Sequence, residues 1–421
     1  MESAKQLKEM QKTSKVVKMP IPFVLNNDGE IKPNSLKNVG LILEHDKLLK
    51  YLFAYNEFTH EIEVTTDVPE LHIKKGQILD DYEALILRYI EDTYMVLFKQ
   101  NLLQMAIVRD ARQRTYNPVK DTLEYAYRYW DGKIRAPMFL PTYLGVEESD
   151  ITTLITKLFF VGAVAKVFNS RTKFDFVLDL VGGQGVGKTT LLEKMAMGWY
   201  TDQFTDFKDK DGYAKMLRAL IVNDDEMEAT SNASFEELKK FVTAKELEFR
   251  KSYGHNSTRY DKNFVLARTT NQKTYLQDRT GERRFLPLLA NNSRQKKHPV
   301  TDLDPETVRQ LWGEFVSYYY NGFEFGLTQK QENMLTKHRE SFMYVDEVEA
   351  EINRFVDKQN VDFVSSVQIA KFLGEKDLLK NRKLAKKIKY VMDNKPNWEY
   401  TQHPRRGYKR VLNTKKTLIG H

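Results

Sequence analysis

The sequence predicts an α/β protein whose central domain is built on a largely parallel sheet. Between Phe174 and Leu289, strand-like and helical stretches follow one another as strand, loop, helix, strand, helix and strand, an order typical of parallel sheets. Before this segment, short strand-like pieces alternate with helical ones, which predicts an α+β domain. After Leu327 the pattern is helical and basic, and it ends in two short β-like runs.

The composition predicts a soluble, cytoplasmic protein that does not associate with a membrane. The chain has 421 residues, of which 41% are hydrophobic and 29% charged, and it has no cysteine. Disulfide bonds and a cysteine-ligated zinc site are therefore excluded. The longest apolar stretch, "LITKLFFVGAVAKVF", contains Lys157 and Lys166. It is too short and too charged to span a bilayer, so it predicts a buried helix.

Changes in composition divide the chain into four segments. Residues 1–20 are polar and lysine-rich and predict a flexible basic arm. Residues 21–148 predict the α+β domain, in which "HEIEVTTDV" and "ELHIKK" are strand-like and a proline-started helix begins at Pro118. Residues 149–328 form the α/β domain, and residues 329–421 form the basic C-terminal domain.

Positive charge is concentrated near the C-terminal end. From Ser365 to His421 there are 15 Lys and Arg against 4 Asp and Glu, whereas the whole chain has a net charge of +8. A clustered positive field attracts polyanions, so this segment favours a nucleic-acid partner.

The stretch "LVGGQGVGKT", from Leu180 to Thr189, fits the phosphate-binding pattern of P-loop proteins. Its glycines allow backbone angles that a Cβ would forbid, so that consecutive N–H groups can turn towards an anion. We expect Lys188 to reach the β- and γ-phosphates of a nucleoside triphosphate and Thr189 to ligate Mg²⁺. The alternative is a glycine-rich turn that matches by chance, but an apolar strand precedes the loop and a helix follows it. The residues predicted to bind the nucleotide are Gly183, Gln184, Gly185, Val186, Gly187, Lys188, Thr189 and Thr190.

A P-loop needs an acidic partner on a neighbouring strand, and "RALIVNDDEME" supplies an apolar strand that ends in acidic residues. We assign Asp225 to the metal, directly or through water, and Glu226 to polarising the attacking water. The register of this assignment is open by one residue. A solvated acidic turn is the alternative.

Two further features follow along the chain. The β-like run "FVLARTTNQ" brings Asn271 to its end, where an amide can orient water near the γ-phosphate, although asparagine is also common in turns. Arg283 and Arg284 lie together in "QDRTGERRFLPL". Arginines beside a nucleotide can neutralise charge in the transition state, and one of them can be supplied by a neighbouring subunit. The alternative is a surface charge pair.

The order of these motifs is that of AAA+ ATPases. Their residue sequences point to a more specific resemblance. "GGQGVGKTT", "IVNDDEME", "FRKSYG", "RTTN" and "DRTGERRFLPL" together resemble the virulence-associated E family of phage, plasmid and genomic-island replication proteins, which are related to superfamily 3 helicases. The resemblance runs from about Leu41 to Leu289. Asn223 and Asp224 depart from it, because the family pattern has a glutamate and an apolar residue there.

The resemblance implies an AAA+ P-loop ATPase core that binds ATP and Mg²⁺ and assembles into a ring, expected to be a hexamer. Such rings translocate on single-stranded DNA, here in the 3′-to-5′ direction, and unwind DNA at a replication origin. The residues before the ATPase domain show no paired-carboxylate polymerase motif. Priming is therefore expected to come from a separate primase.

Two segments are predicted to bind DNA. "LEFRKSYGHNSTRYDKNF" alternates apolar and polar residues around a glycine, which predicts a β-hairpin. By resemblance to superfamily 3 helicases, Lys251, His255 and Arg259 are candidate contacts to single-stranded DNA in the ring channel. An ordinary exposed hairpin is the alternative.

In the C-terminal domain, "LLKNRKLAKKIKYVMDN" predicts a helix with Leu384, Ile388 and Val391 on its apolar face. A shorter helix precedes it, and a Pro-Arg-Arg-Gly turn follows. Helix, turn, basic helix and β-wing resemble a winged helix-turn-helix that binds duplex DNA. A charged, solvated helix is the alternative. The predicted DNA contacts are Arg382, Lys386, Lys389, Arg405, Arg406 and Lys409.

The sequence therefore predicts an ATP-dependent replicative DNA helicase, or replication initiator, of a mobile genetic element. Two other functions remain open: a helicase loader that shares the ATP site without processive unwinding, and a DNA-binding regulator that uses ATP as an assembly switch.

Overall fold

The computed structural model describes residues 21–250, 257–276, 282–344, 347–358, 362–393, 395, 397–403 and 405–411. Contacts divide the chain into two units. The first comprises Met1–Asn271 and Arg283–Gln331, and the second comprises Gln272–Glu282 and Glu332–His421. The four-segment division made from the sequence stays a prediction.

The first part of the larger unit is a small α+β layer. Its four strands are ordered β3-β2-β1-β4, with β4 parallel to β1 and the other pairs antiparallel. The sequence-predicted strand at residues 70–75 is absent, because a 3₁₀ turn, Pro69–Leu71, ends at His72 in a left-handed conformation. The elements are α1 (Leu36–His45), β1 (Phe53–Asn56), β2 (Glu61–Val64), β3 (Gly76–Gln77), α2 (Tyr82–Tyr94), α3 (Gln100–Arg112), β4 (Thr115–Tyr116), α4 (Pro118–Arg128) and α5 (Ala136–Leu144).

The helix predicted to begin at Pro118 does so for a local reason. Asn117 precedes it, and its side chain accepts a hydrogen bond from the Lys120 N–H. Proline in the first turn costs nothing, because its missing N–H would have no partner there.

The centre of the larger unit is the predicted parallel sheet, and the α/β class is confirmed. Five strands are ordered β11-β5-β10-β7-β6, and every neighbouring pair is parallel. The elements are α6 (Asp150–Phe168), β5 (Val177–Val181), α7 (Lys188–Met195), β6 (Tyr200–Thr201), α8 (Lys210–Met216), β7 (Ile221–Asp224), α9 (Glu228–Asn232), α10 (Phe235–Thr243), β8 (Glu246–Phe249), β9 (Thr258–Asp261), β10 (Val265–Thr270), β11 (Phe285–Leu289), α11 (Pro299–Asp302) and α12 (Pro305–Tyr320), with 3₁₀ turns at Asp225–Met227, Glu282–Arg284 and Asn292–Arg294.

Helix α6 is the longest apolar helix in the described part of the chain. Among the described helices it is the one that is long and apolar enough to cross a membrane, but most of its apolar segment is buried within the protein. Phe160 stacks on Phe315 of α12 with ring centroids 4.9 Å apart and meets Trp312 edge-on. Helix α6 is therefore packed as a core helix, as its sequence predicts.

The C-terminal unit has its own apolar core. An antiparallel sheet ordered β12-β14-β13 packs with three helices through residues such as Ile369, Ile388 and Trp398. The last elements of the chain are α13 (Gln329–Glu340), α14 (Glu347–Lys358), β12 (Phe363–Val364), α15 (Ser366–Phe372), α16 (Arg382–Asp393), β13 (Trp398–Thr401) and β14 (Gly407–Arg410).

Candidate nucleotide site

The glycine-rich loop connects β5 to α7 at the carboxyl edge of the sheet. Gly182 has φ +151°, and a Cβ on it would lie 2.7 Å from the Ala290 carbonyl oxygen. Gly187 has φ +87°, and a Cβ on it would lie 2.9 Å from the ring of Pro299. Both positions therefore require glycine, for backbone conformation and for space.

In this loop the carbonyl groups have hydrogen-bond partners, whereas several backbone N–H groups are left available by the described residues. His298 Nε2 lies 3.0 Å from the Gly185 carbonyl oxygen, and Gln295 Nε2 donates to the Val186 carbonyl oxygen at 3.0 Å. Within the described residues, no acceptor takes the backbone N–H of Gly183, Gly185 or Gly187. A loop whose carbonyls are occupied and whose N–H groups are left over is a cradle for an anion.

Lys188 lies inside this loop and is only 6% exposed. Its Nζ donates to the carbonyl oxygens of Gly182, at 2.6 Å, and Gly183, at 3.1 Å, and to Asn271 Oδ1 at 3.1 Å. Burial lowers the pKa of Lys188, and the negative charges of Glu226 and Asp225 oppose that shift. All three acceptors are neutral, so an anionic phosphate would be a stronger partner for this ammonium group.

Asn271 is placed by register. Thr270 is level with Val181 at the end of β5, and the Gly182 N–H donates to the Thr270 carbonyl oxygen at 3.0 Å. The next residue, Asn271, therefore lies beside the loop. The structure brings this predicted residue together with Lys188.

Asp225 meets the loop from the acidic strand. Thr189 Oγ1 donates to Asp225 Oδ1 at 2.8 Å, and Thr269 Oγ1 donates to the same oxygen at 2.6 Å. Asn223 Nδ2 lies 3.2 Å from it. The acidic strand β7 is not the immediate neighbour of β5, since β10 lies between them. The expectation that the acidic strand is next to the strand before the loop was therefore wrong. Thr269 of the intervening strand β10 donates to Asp225 instead.

Glu226 follows in an unusual backbone conformation. Glu226 and Met227 have φ of 50° and 54°, which is unfavourable for residues with a Cβ. The exposed Glu226 side chain accepts from Asn271 Nδ2 at 3.2 Å, and its backbone N–H donates to Thr269 Oγ1 at 3.1 Å. One amide, Asn271, thus connects Lys188 to Glu226.

The Asp224 side chain does not face Thr189, which helps to choose between the two aspartates as the metal ligand. It is 1% exposed and accepts from the N–H groups of Ala229, at 2.8 Å, and Thr230, at 2.9 Å. Burial raises its pKa, partly offset by Thr230 and Arg268. Of the two aspartates, only Asp225 contacts Thr189, and this geometry supports the assignment of Asp225 to the metal.

The oxygen ligands at this site suit a hard cation. Mg²⁺ prefers carboxylate and hydroxyl oxygens and keeps several waters, with one or two carboxylates from the protein. Thr189 Oγ1 and the Asp225 carboxylate are 2.8 Å apart, so both can face one ion. No cluster of three or more histidine, cysteine, aspartate or glutamate side chains that could hold a metal ion occurs in the described residues.

Arg283 and Arg284 lie at the other end of the sheet. Phe285, directly after them, is level with Val177, the first residue of β5. Gly182 is five positions beyond Val177, and Arg284 is one residue before this level, so about six positions at ~3.3 Å each put the arginines ~20 Å from the loop of their own chain. Arg283 is exposed. Arg284 is largely buried and has its Nε 3.9 Å from Asp175 Oδ2.

Comparison with protein-family models decides the relationship of the chain. The model described as the virulence-associated protein E-like domain matches residues 123–344, more than half of the sequence. The chain belongs to this family. The match contains every residue of the candidate nucleotide site, but it begins later than the Leu41 expected from the sequence and extends beyond Leu289.

Other comparisons add little. Among curated proteins, no sequence matched the chain. Two similar solved structures are an A-form apo structure of the NrS-1 C-terminal region, with 10% identity over 90% of this chain and 99% of that chain at a TM-score of 0.42, and an apo structure of the same region, with 11% identity over 85% and 95% at 0.39. At these scores the similarity carries no conclusion about fold or function.

The virulence-associated protein E-like domain also contains the predicted DNA hairpin. Its strands, β8 and β9, pair antiparallel from Glu246 opposite Asp261 to Phe249 opposite Thr258. Lys251 and His255 lie outside the described residues. The exposed Arg259 donates its Nε to Glu248 Oε2 at 3.0 Å across the hairpin, so this candidate contact is partly neutralised by its neighbour.

The predicted contacts of the C-terminal domain lie outside the family match. Ile388 and Val391 are buried in the core of this unit, and Leu384 packs against it, as predicted. Lys389 Nζ lies 3.0 Å from Asp393 Oδ2. The six predicted contacts are all exposed, three on helix α16 and three around the β13–β14 turn: Arg382, Lys386, Lys389, Arg405, Arg406 and Lys409.

Sequence reasoning missed several residues of the site. Gln295 and His298 brace the loop from more than 100 positions away, and no local pattern marks them. Thr269 and Asn223 contact Asp225. The one available signal was strand alternation, which puts residues two apart, such as Asn223 and Asp225, on the same side.

Proposed function

We propose that this chain is an ATP-dependent DNA helicase that acts in replication of a mobile genetic element. It is an AAA+ P-loop ATPase related to superfamily 3 helicases, and it works as a cytoplasmic ring, expected to be a hexamer. The observation that carries the proposal is the meeting of Lys188, Thr189, Asp225, Glu226 and Asn271 at one edge of the sheet, joined by hydrogen bonds of 2.8 to 3.2 Å.

Each residue has a role that its position supports. The loop N–H groups and Lys188 hold the phosphates of ATP, and Lys188 exchanges its neutral acceptors for phosphate oxygens. Thr189 and Asp225 would hold Mg²⁺, which would supply neutralisation of the phosphate charge when bound. Glu226 accepts a proton from the attacking water, and Asn271 orients that water and Glu226 together.

The arginines act from a neighbouring subunit. An arginine ~20 Å from its own loop, at about 3.3 Å per residue along β5, cannot reach its own nucleotide. Of the two, Arg283 is exposed at the end of the sheet opposite the loop and is suited to complete the site of the next subunit, whereas Arg284 lies beside it, largely buried near Asp175. This arrangement requires a head-to-tail interface, and such an interface forms a ring where the rotation between subunits closes.

DNA is bound in two places. The β8–β9 hairpin contacts single-stranded DNA through Lys251, His255 and Arg259, without reading sequence. From α14 onwards the C-terminal unit has the element order helix, strand, helix, helix and two strands, as in a winged helix, and it presents exposed basic side chains on α16 and the β13–β14 turn. We assign duplex binding to this unit and priming to a separate primase.

Strand displacement from a forked DNA substrate by the purified chain tests the proposal. The wild type with ATP and Mg²⁺ should release the labelled strand, whereas Glu226→Gln should bind ATP and DNA but release none. ATP hydrolysis without strand release would favour the helicase loader. Normal DNA-dependent function in Glu226→Gln would favour the ATP-switched regulator.

A further inference from the structure

Three charged side chains lie side by side within the sheet. Arg268 of β10 is level with Asp179 of β5 on one side and with Asp224 of β7 on the other. Its Nε and Nη2 donate to the two oxygens of Asp179 at 2.7 and 2.6 Å. All three residues are at most 2% exposed, and the Phe285 ring covers the guanidinium group at 4.1 Å.

Thr230 connects this pair to Asp224. Arg268 Nη1 donates to Thr230 Oγ1 at 3.3 Å, and Thr230 Oγ1 donates to Asp224 Oδ2 at 2.5 Å. The same carboxylate accepts the backbone N–H groups of Ala229 and Thr230. Asp224 therefore ties the end of β7 to the start of α9.

The segment enclosed by this tie is the acidic turn of the nucleotide site. Asp225, Glu226 and Met227 lie between Asp224 and the two N–H groups that it binds. Glu226 and Met227 hold left-handed conformations there, which persist only where surrounding contacts fix them. Asp224 supplies such contacts through the N–H groups at the start of α9. Thr269 and Asn271 supply them on the side of the glycine-rich loop.

We infer that Asp179, Arg268 and Asp224 form a positioning cluster that sets Asp225 and Glu226 for hydrolysis, acting through Thr230 and the α9 N–H groups. The inference rests on the proposed ATPase function. A cluster that served only sheet stability would be replaceable by apolar residues, because well-packed hydrophobic side chains stabilise such positions as well as or better than buried charges. A cluster that sets a turn requires directed hydrogen bonds.

Asp224→Asn tests the inference with two independent readouts. The variant keeps the shape but places an NH₂ group against the backbone N–H of either Ala229 or Thr230. Hydrogen exchange at Ala229 and Thr230 should accelerate at least about tenfold, because a hydrogen bond to a charged group is lost. The kcat of ATP hydrolysis should fall about 10- to 100-fold, as expected for a displaced catalytic group, while the Kd for ATP changes less than about threefold.

Asp46→Asn is the matched control. Asp46 is 4% exposed and accepts hydrogen bonds from Leu48, Leu49, Tyr89 and Tyr94, so it is also a buried carboxylate with several donors, but it lies in the α+β layer. Its replacement should lower the melting temperature without lowering kcat. An equal loss of kcat in both variants would overturn the inference, as would unchanged exchange or unchanged kcat in Asp224→Asn.

Thr230 gives a second test if Asp224→Asn does not fold. Thr230→Val removes the hydroxyl that joins Arg268 to Asp224 but keeps the backbone N–H and the volume, and Thr230→Ser restores the hydroxyl. The account predicts a lower kcat in the valine variant and near wild-type kcat in the serine variant. Equal values in the two would overturn it. A wild type without ATPase activity would refute the proposed function itself, while the exchange data would still report on the turn.

Discussion

Mixing two inactive variants tests whether the arginines act between subunits. The first variant, Lys188→Ala, removes the ammonium group proposed to bind phosphate but keeps both arginines. The second variant, Arg283→Ala combined with Arg284→Ala, keeps the loop. It removes both candidate arginine fingers, the arginines that a neighbouring subunit would supply to the site. Each variant alone should lose ATPase activity, the second by about 10³- to 10⁵-fold if an arginine finger is removed.

Random mixing of subunits sets the expected size of the recovery. If the arginines act in trans, as the ~20 Å separation from their own loop at about 3.3 Å per residue along β5 leads us to expect, each site is completed only by a neighbour. In a random equal mixture, an intact loop meets an intact finger at about one interface in four. ATPase activity should therefore recover to about a quarter of the wild-type value.

The assay is steady-state ATP hydrolysis across mixing ratios, with the two chains co-refolded or co-expressed so that subunits exchange. Activity should peak near the equal mixture and vanish at both ends. A mixture that never exceeds the activity of its inactive parents would refute the inter-subunit assignment. As a control, each variant is mixed with wild-type protein to show that mixed assemblies form.

Three further outcomes follow. Asn271→Ala should lower kcat about 10²-fold with little change in nucleotide affinity, as loss of one oriented polar group does elsewhere; an unchanged kcat would make Asn271 purely structural. Lys262, between β9 and β10, is 4% exposed, and this burial lowers its pKa from 10.5 to about 7. Between about pH 7 and 10.5 the unfolded chain therefore binds this proton while the folded one does not, so the contribution of Lys262 to the free energy of unfolding should rise across that window. Urea unfolding of Lys262→Met should show a smaller rise, and an identical slope would contradict this. Replacing Arg405 and Arg406 by alanine should reduce the slope of log affinity for duplex DNA against log salt concentration by about two. Lys389→Ala should change this slope less, because Asp393 lies 3.0 Å from the Lys389 ammonium group. Equal slopes for the wild type and both variants would reject the assignment of duplex binding to this surface.

The parts of the nucleotide site that lie in contiguous segments could be predicted from the sequence. The loop around Lys188 has a pattern of its own, and Asp225 and Asn271 end apolar runs. In a parallel sheet the carboxyl ends of the strands meet at one edge. These three residues were therefore expected together, and the structure places them together.

The contacts that depend on strand order could not be predicted in the same way. Nothing in the local sequence says that β10 lies between β5 and β7, so the roles of Thr269 and Arg268 were not visible. Asp179 and Arg268 did interrupt apolar strands, and a charged residue in a buried strand usually has a partner. Which partner it has depends on register, which only the fold supplies.

Imaging of Glu226→Gln protein with ATP and forked DNA by negative-stain electron microscopy tests the central claim most directly. The claim is that nucleotide binds between subunits of a ring. Closed rings with a central opening should appear with ATP and be lost in Lys188→Ala, which cannot hold the phosphates. A chain that stays monomeric with ATP and DNA present would contradict the account.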